Sequence, residues 1–132
     1  MSAALACADA STAELRAMVD RFATLAFDWR LADAEVEALL ATEVGSWPAL
    51  RGFAAVPDVE AETRMRRSIE VAGILRCAVG DDAACREWLR APHAGIVGRR
   101  RPLDVMCDRG VGLRALRDRL RDETMQARVG RC

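Results

Sequence analysis

The sequence predicts an all-α protein. Apolar residues recur at three- and four-residue spacing in several segments, and no run of alternating β-branched residues indicates a strand. Helix-capping residues, glycines and prolines separate these segments. The chain has 132 residues, of which 52% are hydrophobic and 30% charged. This composition is typical of a folded protein with one compact domain or two very small ones.

Three helices are predicted in the N-terminal part. Residues 1–10 are expected to be flexible, and Ser11 with Glu14 forms a capping box that starts the first helix, which ends near residue 26. Its apolar stripe consists of Leu15, Met18, Val19, Phe22 and Leu25.

A second helix is predicted from about residue 33 to residue 41, and a third of barely two turns follows the Ser46 cap and ends at Gly52. The third tolerates Pro48 in its first turn. The side chains expected to be buried around the second helix are Trp29, Leu31, Val36, Leu39 and Leu40.

Residues 52–57 are interpreted as a linker to the longest helix, which Asp58 caps and which ends near Val79 before Gly80. Its predicted inward residues are Val59, Met65, Ile69, Ala72, Leu75 and Val79. The next helix starts at Asp81 or Asp82 and cannot continue through Pro92. Its predicted inward residues are Cys85, Trp88 and Leu89.

Residues 93–101 are expected to form a loop, after which Pro102 fits the first position of a short helix. That helix carries Leu103, Met106 and Cys107 on one face, and Gly110 and Gly112 break it. The last helix is predicted at residues 111–125, and residues 126–132 form a frayed tail. Its inward face consists of Leu113, Leu116 and Leu120.

The five cysteines include no C-x-x-C pair, and the single histidine, His93, is their only soft companion ligand. We therefore expect no metal site and a reducing, cytoplasmic compartment. Cys77 and Cys107 have apolar neighbours in the sequence and are expected to be small core residues. The N-terminus has neither the basic start nor the long apolar run of a signal peptide, and no segment is long enough for a membrane span.

The charges balance to zero, and all 20 cations are arginine. Acidic residues dominate residues 28–62, whereas positive charge is concentrated at residues 99–101 and in the last helix. Arg64, Arg66 and Arg67 are interpreted first as a solvated helix face, and second as contacts for an acidic partner or for phosphates.

Several features of residues 85–120 recur together in one family of small bacterial proteins. They are Trp88 and Leu89 ending a short helix, Pro92, the Gly98 turn, the run Arg101, Pro102, Leu103 and Asp104, and Gly110 followed by Leu113, Leu116 and Leu120. In this order and spacing the segment resembles the toxin-binding domain of the Xre/MbcA/ParS antitoxins. The resemblance implies an all-helical antitoxin with a degenerate helix-turn-helix half, residues 11–57, and a toxin-binding half, residues 58–125.

The resemblance further implies that the protein neutralises a RES-type toxin, an enzyme that consumes NAD or transfers ADP-ribose from it, by binding the toxin and closing its NAD cleft. No cofactor of its own is implied, and the partners are the toxin and further copies of the chain. The toxin-binding residues would be Trp88, Arg99, Arg100, Arg101, Pro102, Leu103, Arg114, Arg117 and Arg121.

Two sets of arginines also have simpler interpretations. Residues 99–101 are neutralised either by a partner or by an internal carboxylate such as Asp104. In the last helix, Arg114, Arg117 and Arg121 either pair with Asp118 and Asp122 on the same helix, or supply an arginine to the toxin site that holds the phosphates of the cofactor.

The alternative function is a helix-turn-helix transcriptional regulator that acts mainly on DNA. Residues 33–51 have the dimensions of such a unit. However, Ala41 replaces the glycine usual after the paired leucines, and Arg51 is the only cation on the third helix. Weak binding to promoter DNA, or none, is therefore expected. No nucleophile with a base and no glycine-rich phosphate loop is evident, so we expect no enzymatic activity.

Overall fold

A computed structural model of the chain describes residues 2–93 and 99–131, with side chains for residues 11–93 and 99–124. Within these ranges all regular structure is helical, which confirms the predicted all-α class. The helices are α1 (Ser2–Asp28), α2 (Asp33–Leu40), α3 (Trp47–Arg51), α4 (Val59–Ala78), α5 (Asp82–Arg90), α6 (Pro102–Cys107) and α7 (Gly112–Arg131). None of the helices in the described residues is both long and apolar enough to cross a membrane.

The two terminal helices are longer than predicted. α1 begins at Ser2, so Ser11 lies inside the helix and does not cap it, and the backbone of residues 2–10 is helical. α7 continues to Arg131. Both extensions are rich in alanine, arginine or other strong helix formers, and this propensity outweighs the local capping signal. The interior caps are confirmed: Asp58 accepts a hydrogen bond from Ala61 N, and Asp81 from Ala84 N.

One hydrophobic core joins the helices. α4 lies at its centre and packs against α1, α2, α5 and α7. The predicted stripes of α1, α2 and α7 are confirmed, because their members are buried or packed against the core. Fully buried members include Val19, Phe22, Val36, Leu39, Leu40 and Leu113. The core therefore includes residues from both predicted halves, 11–57 and 58–125.

The predicted inward face of α4 is partly wrong. Val59 is 80% exposed, because it lies at the first position of the helix, before the buried stripe begins. That stripe follows three- and four-residue steps and consists of Ala61, Arg64, Met65, Ser68, Val71 and Leu75. Cys77 is exposed rather than buried, since two residues after Leu75 the helix has turned by about 200°. Cys107 is half-buried against the core, and burial raises the pKa of its thiol to about 11.

Arg64 is the most consequential difference from the predicted solvated face. Only 2% of the residue is exposed. Its Nη1 donates hydrogen bonds to two carbonyl oxygens at 3.1 and 3.3 Å, and its Nη2 donates to two more at 3.0 and 3.3 Å. In that order, the acceptors are Leu39 O, Met106 O, Asp108 O and Gly110 O. Arg66, in contrast, is exposed and pairs with Glu62.

The carbonyls bound by Arg64 lie where two helices end. The last carbonyls of a helix have no partner inside it and carry partial negative charge, so a cation stabilises them. A guanidinium has enough donors, in a rigid plane, to bind four of them at once. Its charge is balanced by Glu60, whose Oε1 accepts from Arg64 Nε at 2.9 Å. Arg64 therefore connects α4 to the ends of α2 and α6 and to the turn before α7.

Two arginines of α5 also connect that helix to its neighbours. Arg86 Nη1 donates to the Asp28 carbonyl at the end of α1, at 2.8 Å. Arg90 makes two hydrogen bonds to the Glu35 carboxylate, at 2.9 and 3.0 Å, and thereby joins α5 to α2. The Arg90 guanidinium lowers the pKa of Glu35.

Replacing Arg64 is expected to destabilise the protein strongly. Arg64→Ala leaves several carbonyls at helix ends buried without partners, and each buried polar group that loses its partner costs about 1 to 3 kcal/mol. The free energy of unfolding from urea titration measures this. Arg66→Ala, on the same helix, is the control and is expected to change it by less than about 0.5 kcal/mol. A loss below about 1 kcal/mol for Arg64→Ala would show that water replaces the guanidinium.

Candidate partner-binding surface

The predicted toxin-binding residues lie at three places: the end of α5, the segment before and at the start of α6, and α7. At the end of α5, Trp88 is half-buried and stacks on His93, with ring centroids 5.0 Å apart and an angle of 28° between the planes. His93 Nε2 also lies 2.8 Å from Trp88 O. No role was predicted for His93, and these two contacts hold its side chain against the end of α5. The Gly98 turn lies outside the described residues.

Residues 99–101 differ in their contacts. Arg101 makes two hydrogen bonds of 2.9 Å to the Asp104 carboxylate, and this contact lowers the pKa of Asp104. Arg100 lies 3.5 Å from the carboxylate of Asp108. Arg100 and Arg101 therefore each lie close to an internal carboxylate, which agrees with the second of the two predicted interpretations. Arg99 is exposed, has a left-handed backbone (φ 65°) and makes no ion pair with another described residue.

Pro102 and Leu103, two of the predicted toxin-binding residues, are buried. Pro102 occupies the first turn of α6, as predicted, and Leu103 is 2% exposed and belongs to the core. Both side chains are therefore largely inaccessible at the surface in the free protein.

α7 has two distinct faces. Leu113, Leu116 and Leu120 are 2%, 3% and 6% exposed and hold the helix on the core. The arginines at 114, 117 and 121 lie outside this stripe, with exposed side-chain fractions of 61%, 17% and 55%.

Ion pairs hold the side chains of Arg117 and Arg121 on the exposed side of α7. Arg121 Nη2 lies 2.8 Å from Glu70 of α4, and Arg117 Nη1 lies 3.8 Å from the same carboxylate. Arg117 also binds Asp118, at 2.9 Å, and lowers the pKa of that carboxyl, whereas Arg114 is 4.0 Å from it. The predicted pairing on the same helix is thus present for Asp118 but not, among the described residues, for Asp122. Glu70, 51 residues before Arg121, was missed. Arg114 has the weakest internal contact of the three.

Residues 33–51, which were predicted to resemble a helix-turn-helix unit, present little to DNA. α3 has only five residues, and Trp47 and Leu50 within it are 3% and 4% exposed. Arg51 is exposed, but it lies at the C-terminal end of α3, whereas a recognition helix contacts bases through its N-terminal residues.

A carboxylate already occupies the N-terminus of α3. Glu37 of α2 is 3% exposed, and its Oε2 accepts a hydrogen bond from Trp47 N at 2.9 Å. Hydrogen bonds from the backbone of Trp47, Gly45 and Ser46 lower the pKa of Glu37. Backbone N–H groups at a helix N-terminus are an anion site, so Glu37 takes the place that a DNA phosphate would need. No sequence pattern had indicated a role for Glu37.

Comparisons with models of protein families, with curated proteins and with solved structures found no match to this chain. Within the described residues, no group of three or more histidine, cysteine or acidic side chains is placed to hold a metal ion.

Glu37 is expected to make the protein sensitive to acid. Because its pKa in the folded state is below the ordinary value of 4.5, its contribution is complete above that pH and is lost as the pH falls through the folded pKa. Glu37→Gln should lower the melting temperature most at neutral pH, and the difference from wild type should shrink as the pH falls below about 4.5. Glu43→Gln, on the exposed part of the same turn, is the control. A difference independent of pH would contradict this role.

Binding to DNA is expected to be weak. Because Glu37 occupies the N-terminus of α3 and Arg51 is its only cation, a gel-shift titration with the protein's own promoter should show low affinity that falls further as salt rises. Arg51→Ala should leave this affinity nearly unchanged. Sequence-specific binding in the nanomolar range near physiological salt would contradict this expectation and favour a transcriptional regulator.

Proposed function

We propose that this protein is an antitoxin that binds a RES-type, NAD-consuming or ADP-ribosylating toxin and closes its NAD cleft. The observation that carries the proposal is the two-faced α7: buried leucines fix it to the core, while a row of arginines remains at the surface. The sequence pattern of residues 85–120 supports the same assignment. The cognate toxin is the expected partner, and the antitoxin needs no cofactor.

The arginines of α7 have unequal roles in the proposed inhibition. Arg114 and Arg121 are more than half exposed, so each can enter a cleft without disturbing the fold. Arg117 is 17% exposed and is engaged by Glu70 and Asp118, so it is less accessible to a partner than the other two. In the proposed complex, the inserted guanidinium occupies the toxin site that holds the phosphates of the cofactor. The helix that carries it then excludes NAD sterically.

Binding and inhibition should separate in this protein. The triple variant Arg114→Ala, Arg117→Ala, Arg121→Ala retains the leucine face, so it should still co-purify with the co-expressed toxin. It should nevertheless fail to protect the cells from NAD depletion. Cellular NAD and co-purification are measured on the same cultures.

This experiment has two controls. Glu70→Gln removes the internal partner of Arg117 and Arg121 but keeps the arginines, so it should preserve protection. Leu116→Ala should destabilise the antitoxin itself, by about 2 to 5 kcal/mol, and reduce both binding and protection. Full protection by the triple variant would show that the arginines are only a solvated face, and absence of any complex with the toxin would refute the proposal as a whole.

A further inference from the structure

Glu35 of α2 contacts two helices that carry or adjoin parts of the candidate partner-binding surface. Arg90, at the end of α5, makes two hydrogen bonds to its carboxylate, at 2.9 and 3.0 Å. Cys107 of α6 donates a hydrogen bond from Sγ to the main-chain carbonyl of Glu35, at 3.8 Å. One residue of α2 therefore contacts both α5, which carries Trp88, and α6, which follows residues 99–101.

The carboxylate of Glu35 is itself held in place. Its Oε1 accepts a hydrogen bond from Ala32 N at 2.9 Å, which fixes the side chain at the start of α2. The side chains of Glu35 and Arg90 are 30% and 38% exposed, so the pair is partly shielded from solvent and from salt. Two parallel hydrogen bonds between a carboxylate and an arginine also fix the plane of the guanidinium. Glu35 therefore orients Arg90 in addition to attracting its charge.

Arg101 extends these contacts to the segment before α6. Its guanidinium makes two hydrogen bonds of 2.9 Å to the Asp104 carboxylate. The hydrogen bonds from Arg90 contribute most to the lowered pKa of Glu35, and the positive charge of Arg101 lowers it further. Charges of opposite sign therefore alternate along four side chains, which we call the Glu35 network: Arg90, Glu35, Arg101 and Asp104. This network joins α5, α2 and α6.

We propose that Glu35 is a positioning residue for partner binding, which holds the end of α5, with Trp88, in a fixed arrangement with Arg101. This inference rests on the proposed function, because Trp88 and Arg101 are two of the predicted toxin-binding residues. Along the chain the two are connected by residues 89–100, whereas Glu35 acts from outside that segment. A surface that is ordered before binding loses less conformational entropy in the complex, so Glu35 increases the affinity without contacting the partner.

The test measures the affinity of the full chain for the purified toxin in a double-mutant cycle. Glu35→Ala should lower the affinity about tenfold. In a chain that already carries Trp88→Ala and Arg101→Ala, the same change should lower it less than about twofold, because Glu35 then has no binding residue left to position. Glu35→Gln keeps an acceptor for Ala32 N and removes only the charge, so its loss should be smaller. Asp33→Ala, which removes an exposed carboxylate from the same helix, is the matched control and should leave the affinity unchanged.

A second measurement uses the free protein. Hydrogen exchange of the amides in the last turn of α5 should be faster in Glu35→Ala than in wild type, whereas amides in the middle of α7 should keep their rates. A wild-type chain that binds no toxin would refute the proposed function. If the wild-type chain does bind, an equal loss of affinity in both backgrounds, or unchanged exchange in α5, would refute the positioning role alone.

Discussion

The arrangement of the helices depends on the buried guanidinium of Arg64. Its four carbonyl acceptors belong to segments on both sides of α4 in the sequence, so a single side chain holds the ends of α2 and α6 and the turn that leads into α7. Gly112, the first residue of α7, cannot carry a side chain in this arrangement, because its Cβ atom would collide with Val105 O. The direction of α7, and with it the positions of its arginines, follows from these two constraints.

Arginine side chains from other helices bind backbone carbonyls at the ends of α1 and α2. A helix often ends with a glycine in the left-handed conformation, but α2 ends at Ala41 with φ 55°, a conformation that is unfavourable for a residue with a Cβ atom. Arg64 binds the carbonyl of Leu39 nearby, and Arg86 binds that of Asp28 at the end of α1. Lysine could not take the place of Arg64, since the three donors of lysine diverge from one nitrogen and cannot span four such carbonyls.

What the sequence predicted correctly was local. The helices and the leucine stripe of α7 follow from periodicity within one segment, and the caps Asp58 and Asp81 act on amides three residues away. What it missed depends on tertiary packing: Arg64 binds carbonyls 25 to 46 residues away, and Glu70 meets α7 across 51 residues. Charged residues are normally assigned to the surface, so no pattern signalled that one of three neighbouring arginines is buried. For the candidate site, the sequence predicted the arginine face of α7, but it did not predict that Glu70 of α4 would bind two of these arginines.

The position of Arg64 in the chain has a consequence for synthesis on the ribosome. Gly110, its last acceptor, is added 46 residues after it. Until that residue has left the exit tunnel, the guanidinium remains hydrated and the ends of α2 and α6 are not joined. The carbonyl acceptors of Arg64 are therefore complete only once residue 110 can fold, and we expect fragments truncated before this residue to be cleaved more readily by proteases.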